Sequence, residues 1–302
     1  MEDVEDVFEH ILRKISSAEI NANPYPHIVV SEIFPPEFYP KLLAAIPKPE
    51  QFAAAEYPGT GFGQAKRSQR NSSGLAYPNL HELPLFRELQ TFLRGEEFCR
   101  ALLGKFSRPD GIPAEKHRYF AGGAREFTSV FDLQIDRRGY EILPHPDIPS
   151  KIMTFQFFLV SDDSLKDFGT LFCRTKNGRP AVRSSIARRA GTAVERVARA
   201  LRHRPYRFWH WLERTKLGTE IGFGSEGWYP WRMFDLISAA PALPNHFMAF
   251  APNERSYHAV RMDIPKSSIG RTVIRGFIRS GRDVGNVIRL KVPEKITSEL
   301  LL

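Results

Sequence analysis

The chain has 302 residues, 42% hydrophobic and 25% charged, proportions that fit an ordinary globular domain with room for a substantial core. No run of about 18 apolar residues occurs, which argues against a membrane-spanning helix. Two cysteines, Cys99 and Cys173, are too few and too far apart for a disulfide scaffold or a thiolate metal cluster. The formal net charge of +9 is a local matter: Arg174 to Lys216 holds 13 Lys/Arg against two acids, Glu195 and Glu213. The remainder sums to about −2, so any argument for an anionic partner concerns that stretch alone.

In chain order, the acidic start Met1-Glu2-Asp3-Val4-Glu5-Asp6 lacks the basic and apolar regions of a secretory signal. Together with the scarce cysteines this points to a reducing cytoplasm. Val4, Val7, Phe8, Ile11, Leu12 and Ile15 recur at helical spacing and predict an amphipathic helix over 4–17. A Pro-punctuated, β-rich run follows at 23–30. Pro35 and Pro36 then open a helix whose buried stripe is Phe38, Leu42, Leu43 and Ile46. Residues 57–75 read as a long loop, and roughly 82–105 as a helical pair.

From about residue 117 the pattern changes to short β-type runs, at 117–121, 127–136, 151–160 and 170–174, resuming at 232–238, 246–251, 256–260 and 271–279. Such strands behind a helical layer predict a mainly β fold with flanking helices (α+β), a β-sandwich or jelly roll with helices on one sheet. The chain reads as one domain over 1–302. It has a helical N-terminal layer (1–115), a β core (116–280) and, within that core, a basic helical insertion (175–231) too long for a hairpin connection.

The most informative stretch is Arg138-Gly139-Tyr140-Glu141-Ile142-Leu143-Pro144-His145-Pro146-Asp147. On extended backbone, residues two apart point to the same face, so the His145 imidazole and the Asp147 carboxylate can converge on one ion. Alone, such a pair is common in solvated turns. The apolar run Lys151–Val160 follows it. Much later come Ser256-Tyr257-His258-Ala259-Val260 and then Gly270-Arg271-Thr272-Val273-Ile274-Arg275. His246, in Pro244-Asn245-His246-Phe247, is a weaker rival for the distant histidine, while His27, His81 and His117 have no ligand-like partners. Gln134 and Gln156 are polar residues inside apolar strands, placed either towards a cavity or on a solvated face.

Taken together, the H-x-D pair, the distant S-Y-H-A-V segment and the Arg opening the next strand resemble the Fe(II)/2-oxoglutarate-dependent dioxygenase superfamily. More narrowly, they resemble its bacterial prolyl-hydroxylase-like branch. The run Pro24-Tyr25-Pro26-His27-Ile28-Val29-Val30, with Phe34-Pro35-Pro36-Glu37-Phe38-Tyr39, is similar to the N-terminal layer of bacterial members. The resemblance covers 24–50 and, outside the insertion, 127–280. It implies a double-stranded β-helix (jelly roll, cupin-like) with His145, Asp147 and His258 as iron ligands. It also implies Fe(II) and 2-oxoglutarate as cofactors, ascorbate as a candidate reductant and O2 as co-substrate, with release of succinate and CO2 as an unidentified substrate is hydroxylated. The carboxylate at Asp147 argues against the halogenating variants. Arg271 matches the cation expected to hold the distal carboxylate of 2-oxoglutarate. It lies 13 residues beyond His258, slightly farther than is typical, and Arg275, on the same strand face by parity, is the substitute. Tyr140 is a candidate hydrogen-bond donor to the same cofactor, or a core residue.

The insertion is not explained by the resemblance. Ile186, Ala190, Val194, Val197 and Leu201 fall within an arc of about 80° on a helix over 183–202, with Arg188, Arg189, Arg196, Arg199 and Arg202 opposite. Tyr206-Arg207-Phe208-Trp209-His210-Trp211 follows. One reading is a helix packed on its own domain with solvated arginines. The other is contact of 183–211 with an anionic membrane surface or glycolipid, which would place the protein at the inner face of the membrane. No motif supports nucleic acid. The alternatives to a small-substrate hydroxylase are a protein (prolyl-type) hydroxylase, a non-catalytic cupin-like binding module, and a peripheral membrane adaptor. Oligomeric state is left open.

Overall fold

The computed structural model of the protein describes residues 4–54, 74–107, 111–116, 126–147, 151–176, 178, 231–253, 255–266, 268–280 and 288–289. The amphipathic pattern at the start folds as α1 (Val4–Ser17), with Val7, Ile11 and Ile15 buried along one face. After β1 (His27–Ser31) comes α2 (Tyr39–Ala44). This helix begins later than Pro35-Pro36 suggests. Pro40 has no N–H to donate to the Pro36 carbonyl, so no α-helical bond forms there. Instead the N–H groups of Phe38 and Tyr39 both donate to the Pro35 carbonyl, at 3.0 and 3.1 Å. The expected helical pair is α3 (Pro84–Arg94) and α4 (Glu96–Phe106), separated by Gly95 in an extended conformation.

The strands are β2 (Ala53–Ala54), β3 (Gly74–Ala76), β4 (Glu126–Asp136), β5 (Glu141–His145), β6 (Lys151–Phe158), β7 (Thr170–Thr175), β8 (Phe234–Ala240), β9 (His246–Phe250), β10 (Tyr257–Arg261), β11 (Arg271–Ser280) and β12 (Ile288–Arg289). Every pairing among them is antiparallel. The larger sheet runs β1-β9-β6-β11-β4-β3-β2, with β12 also on β4, and the smaller sheet runs β5-β10-β7-β8. The molecule is thus a β-rich α+β fold. The N-terminal layer is not purely helical: β1, β2 and β3 extend the two edges of the larger sheet and satisfy backbone groups that would otherwise be open.

Strand β6 lies within the larger sheet and is buried along its whole length, because both faces are covered. Phe155 and Phe157 face the helices, where they join Ile11, Phe98, Leu102, Ile274 and Ile278 in the larger core. Phe158 faces the smaller sheet with Phe172, Met248, Phe250, Val260 and Val273. Each such aromatic contributes roughly 1.5–3 kcal/mol through burial. The intervening Thr154 and Gln156 share the Phe158 face, so the gap between the sheets contains polar groups by design of the alternation.

The expected strand at 117–121, most of the expected loop at 57–75 and nearly all of the insertion, including the helix over 183–202 and the aromatic cluster at 206–211, lie outside the described residues. Among the described residues, no helix is long and apolar enough to cross a membrane.

The N-terminal layer is fastened to the sheets by Asn245, which has a φ of 57° at the turn before β9. Its side chain accepts from the Phe34 N–H at 2.9 Å and donates to the Phe34 carbonyl at 2.8 Å, imitating a strand pair. Asn245→Ala strands two buried backbone groups and puts a Cβ without compensation in the left-handed region. A loss of about 2–4 kcal/mol is expected by urea denaturation, with an unchanged m-value.

Candidate metal centre

Strands β5 and β10 pair so that His145 stands directly opposite His258, and β10 pairs with β7 so that His258 also faces Phe172. The two imidazoles lie 4.3 Å apart, centroid to centroid. Each is oriented by its own strand. His145 Nδ1 donates to the Leu143 carbonyl at 3.0 Å, and His258 Nδ1 to the Ser256 carbonyl at 3.1 Å. A carbonyl can only accept, so both Nδ1 atoms carry hydrogen, and each ring when neutral presents the Nε2 lone pair. Asp147 follows β5 and brings its Oδ2 within 3.7 Å of His258 Nε2. One ligand atom from each of the three lies within 4.8 Å of the others, and all three residues are buried. The group could hold a metal ion.

Asp147 is held at both oxygens. Lys151 Nζ pairs with Oδ1 at 2.5 Å, and Thr154 Oγ1 donates to Oδ2 at 2.5 Å. Burial by itself would raise the Asp147 pKa; the Lys151 charge, the His258 and His145 rings when protonated, and the Lys151 hydrogen bond outweigh it, holding the carboxyl far below the usual range. An ionised carboxylate flanked by two Nε2 acceptors is a donor set for a divalent cation of intermediate hardness. Lys151 and Thr154 carried no signal in the sequence. A lysine opening an apolar strand reads as a snorkelling end, and a threonine is an ordinary β-former.

An aromatic wall adjoins the triad. Phe250 packs 4.8 Å from His258, and Tyr25, from the turn before β1, stands edge-on to Phe250 and Phe172 at 5.5 Å from each. The Tyr25 hydroxyl is buried without a hydrogen-bond partner. Burial, then the nearby Cys173 and Asp147, push its pKa up. His27 packs against Phe172 with ring centroids 4.3 Å apart and tilted by 46°, and donates from Nδ1 to the Tyr25 carbonyl, while His81 is exposed; neither joins the triad. His246, at the start of β9 with its Nδ1 on the Pro244 carbonyl, is not among the residues of the group.

The candidate cofactor residues divide. Arg271 is sealed in an ion pair, its Nη2 at 2.5 Å and its Nε at 3.2 Å from Asp136 Oδ2, with Nη1 on the Phe168 carbonyl at 2.7 Å. Gly270, at φ 124°, opens β11 so closely against the Asp136 carbonyl that a Cβ would sit 2.7 Å from it. Arg275 instead donates Nη1 to the Tyr140 hydroxyl at 2.8 Å. Tyr140 is buried against Gly74, where an added Cβ would come within 2.9 Å of the ring. Arg275 pairs across the sheet with Gln156 on β6 and Asp132 on β4. Gln134 and Gln156 are both buried, on the face towards the smaller sheet, and each has an Nε2 with no hydrogen-bond partner. Asp132 is solvent-accessible, yet desolvation raises its carboxyl pKa against the lowering effect of Arg275, Arg279 and Arg94.

Arg271 and Asp136 each expose only 1% of the side chain. Arg271→Met leaves a buried carboxylate uncompensated, and a loss of about 3–5 kcal/mol is expected by chemical denaturation. Arg275→Met, at a half-buried position, is expected to cost less than half of that. No family model matches this chain, and no curated protein matches it significantly.

Proposed function

We propose that this protein is an Fe(II)- and 2-oxoglutarate-dependent dioxygenase that hydroxylates a substrate, built on a double-stranded β-helix. The observation that carries the reading is the buried His145–Asp147–His258 group sharing one inter-sheet space with the Arg275–Tyr140 pair. Two neutral imidazoles and one carboxylate are the ligand set of non-haem Fe(II) oxygenases and leave coordination positions open. The jelly-roll reading is supported by strand order. From β4 to β11 the chain lays down one sheet as β9-β6-β11-β4 and the other as β5-β10-β7-β8, the order produced when one long antiparallel hairpin folds over on itself.

Strand register favours Arg275 over Arg271 as the anchor for 2-oxoglutarate. Thr154, which touches Asp147, pairs with Phe277 on β11. Arg275 is two residues from Phe277, about 7 Å along the strand, whereas Arg271 is six residues away, about 20 Å. A five-carbon dicarboxylate chelating a metal at one end reaches the first distance and not the second. The Arg275 guanidinium and the Tyr140 hydroxyl would hold the distal carboxylate, with the unpartnered amide nitrogens of Gln134 and Gln156 as further donors. Iron and 2-oxoglutarate so held would supply, with O2, oxidative decarboxylation to succinate and CO2 coupled to hydroxylation of a C–H bond. The chain's own part is positional. His145 and His258 keep Nε2 towards the metal, Lys151 and Thr154 fix the carboxylate, and the Tyr25–Phe172–Phe250 wall limits water. For the substrate we favour an anionic, membrane-associated molecule, on the Arg-rich sequence of 183–211 alone.

The test is succinate release from 2-oxoglutarate under Fe(II) and O2, alongside anaerobic titration of 2-oxoglutarate into the Fe(II) protein with the visible charge-transfer band as readout. Wild type is expected to develop the band and Asp147→Ala to lose both band and turnover. Arg275→Met is expected to need at least about tenfold more 2-oxoglutarate for half-saturation, from loss of a charged hydrogen bond. Equal turnover in wild type and Asp147→Ala, or no band in wild type at millimolar 2-oxoglutarate, would sink the proposal.

A further inference from the structure

Lys151 is the buried ionisable group closest to the triad that the proposed chemistry does not itself require. Its side chain is 3% exposed and that of its partner Asp147 is 0% exposed. The ammonium sits 2.5 Å from Asp147 Oδ1 and 3.7 Å from the centre of the Phe277 ring, whose face favours a cation. Lys151 opens β6 opposite Arg279 on β11, three residues before Thr154, so both oxygens of Asp147 are gripped from the same strand.

Two physical consequences follow. With Oδ1 committed to Lys151, Asp147 presents only Oδ2 to the space between the imidazoles, so it ligates through one oxygen and blocks fewer positions. A fixed positive charge against a ligand carboxylate, in a space from which water is largely excluded, also opposes an incoming divalent cation and favours an incoming anion. Resting on the metal reading above, we propose that Lys151 is a positioning residue that sets the balance between the two loading steps. It weakens binding of the metal alone and strengthens binding of the dianionic co-substrate to the metal-loaded site, so one charge shifts the two affinities in opposite directions.

The experiment uses Co(II) as a visible-absorbing probe of the full-length protein, titrated alone and then followed by 2-oxoglutarate. In Lys151→Met, whose side chain has nearly the same shape, Co(II) alone is expected to bind about tenfold more tightly and 2-oxoglutarate to bind the Co(II) protein about tenfold more weakly. A purely structural lysine would weaken both together. Parallel changes, or no change in either constant, overturn the proposal. Lys151→Gln, neutral but still able to donate to Asp147, is expected to give the same opposite-signed pattern, and it decides the matter if Lys151→Met does not fold. Failure of the underlying reading looks different. A wild type that never develops the Co(II) spectrum overturns the metal centre and this inference with it. A wild type that binds Co(II) but not 2-oxoglutarate removes only the co-substrate, and Lys151 then stands or falls on the Co(II) constant alone.

Discussion

The pairing of β5 with β10 that sets His145 opposite His258 is the constraint on which the candidate centre depends. Side chains alternate along a strand, so a one-residue slip in this register would carry one imidazole to the far side of the smaller sheet and dissolve the group. The register is fixed from both directions. On one side, β10 is held by β7, whose Phe172 packs into the inter-sheet core; on the other, the turn after β4 returns the chain through Tyr140, whose carbonyl accepts from the Met262 N–H at 2.9 Å. The convergence of the three side chains is therefore a by-product of ordinary hydrophobic closure at the neighbouring positions.

That closure has a cost. The space between the sheets holds two buried ion pairs, Asp147–Lys151 and Asp136–Arg271, and several polar atoms without partners. Buried ion pairs rarely add net stability, since desolvation offsets the attraction. Unpartnered buried amide nitrogens are unfavourable outright. The opposite side of the larger sheet, towards the helices, is packed with phenylalanine and aliphatic side chains. One side of β6 and β11 is thus almost wholly apolar, while the other mixes a hydrophobic cluster with buried polar and charged groups.

Much of this was legible in the sequence. The long strands β4, β6 and β11 announce themselves as apolar or β-branched runs, and α1 as a helical stripe, because the elements are long and their burial one-sided or complete. His145 and Asp147 are linked by spacing alone. His258 is not: more than a hundred residues intervene, and only resemblance to a family joins it to the pair, while the structure joins it by register. Sequence position favours Arg271, with Arg275 on the same parity; depth along β11 and the Asp136 carboxylate paired with Arg271 support Arg275 in the proposed reading instead. β5 was hidden by Pro144 and its short length. Lys151 was hidden because a lysine at the head of an apolar strand looks like a solvated end, whereas its partner, four residues earlier, turns it inward. Pro35-Pro36 reads as a helix start, but Pro40 has no N–H for the Pro36 carbonyl, and α2 begins at Tyr39.

The central claim is that His145, Asp147 and His258 hold one metal ion, and an anomalous-difference map from crystals soaked in Mn(II) tests it most directly. A triad that binds metal gives a single strong peak bonded to His145 Nε2, His258 Nε2 and an oxygen of Asp147. A peak elsewhere with the triad bare, or no peak at saturating Mn(II), contradicts it.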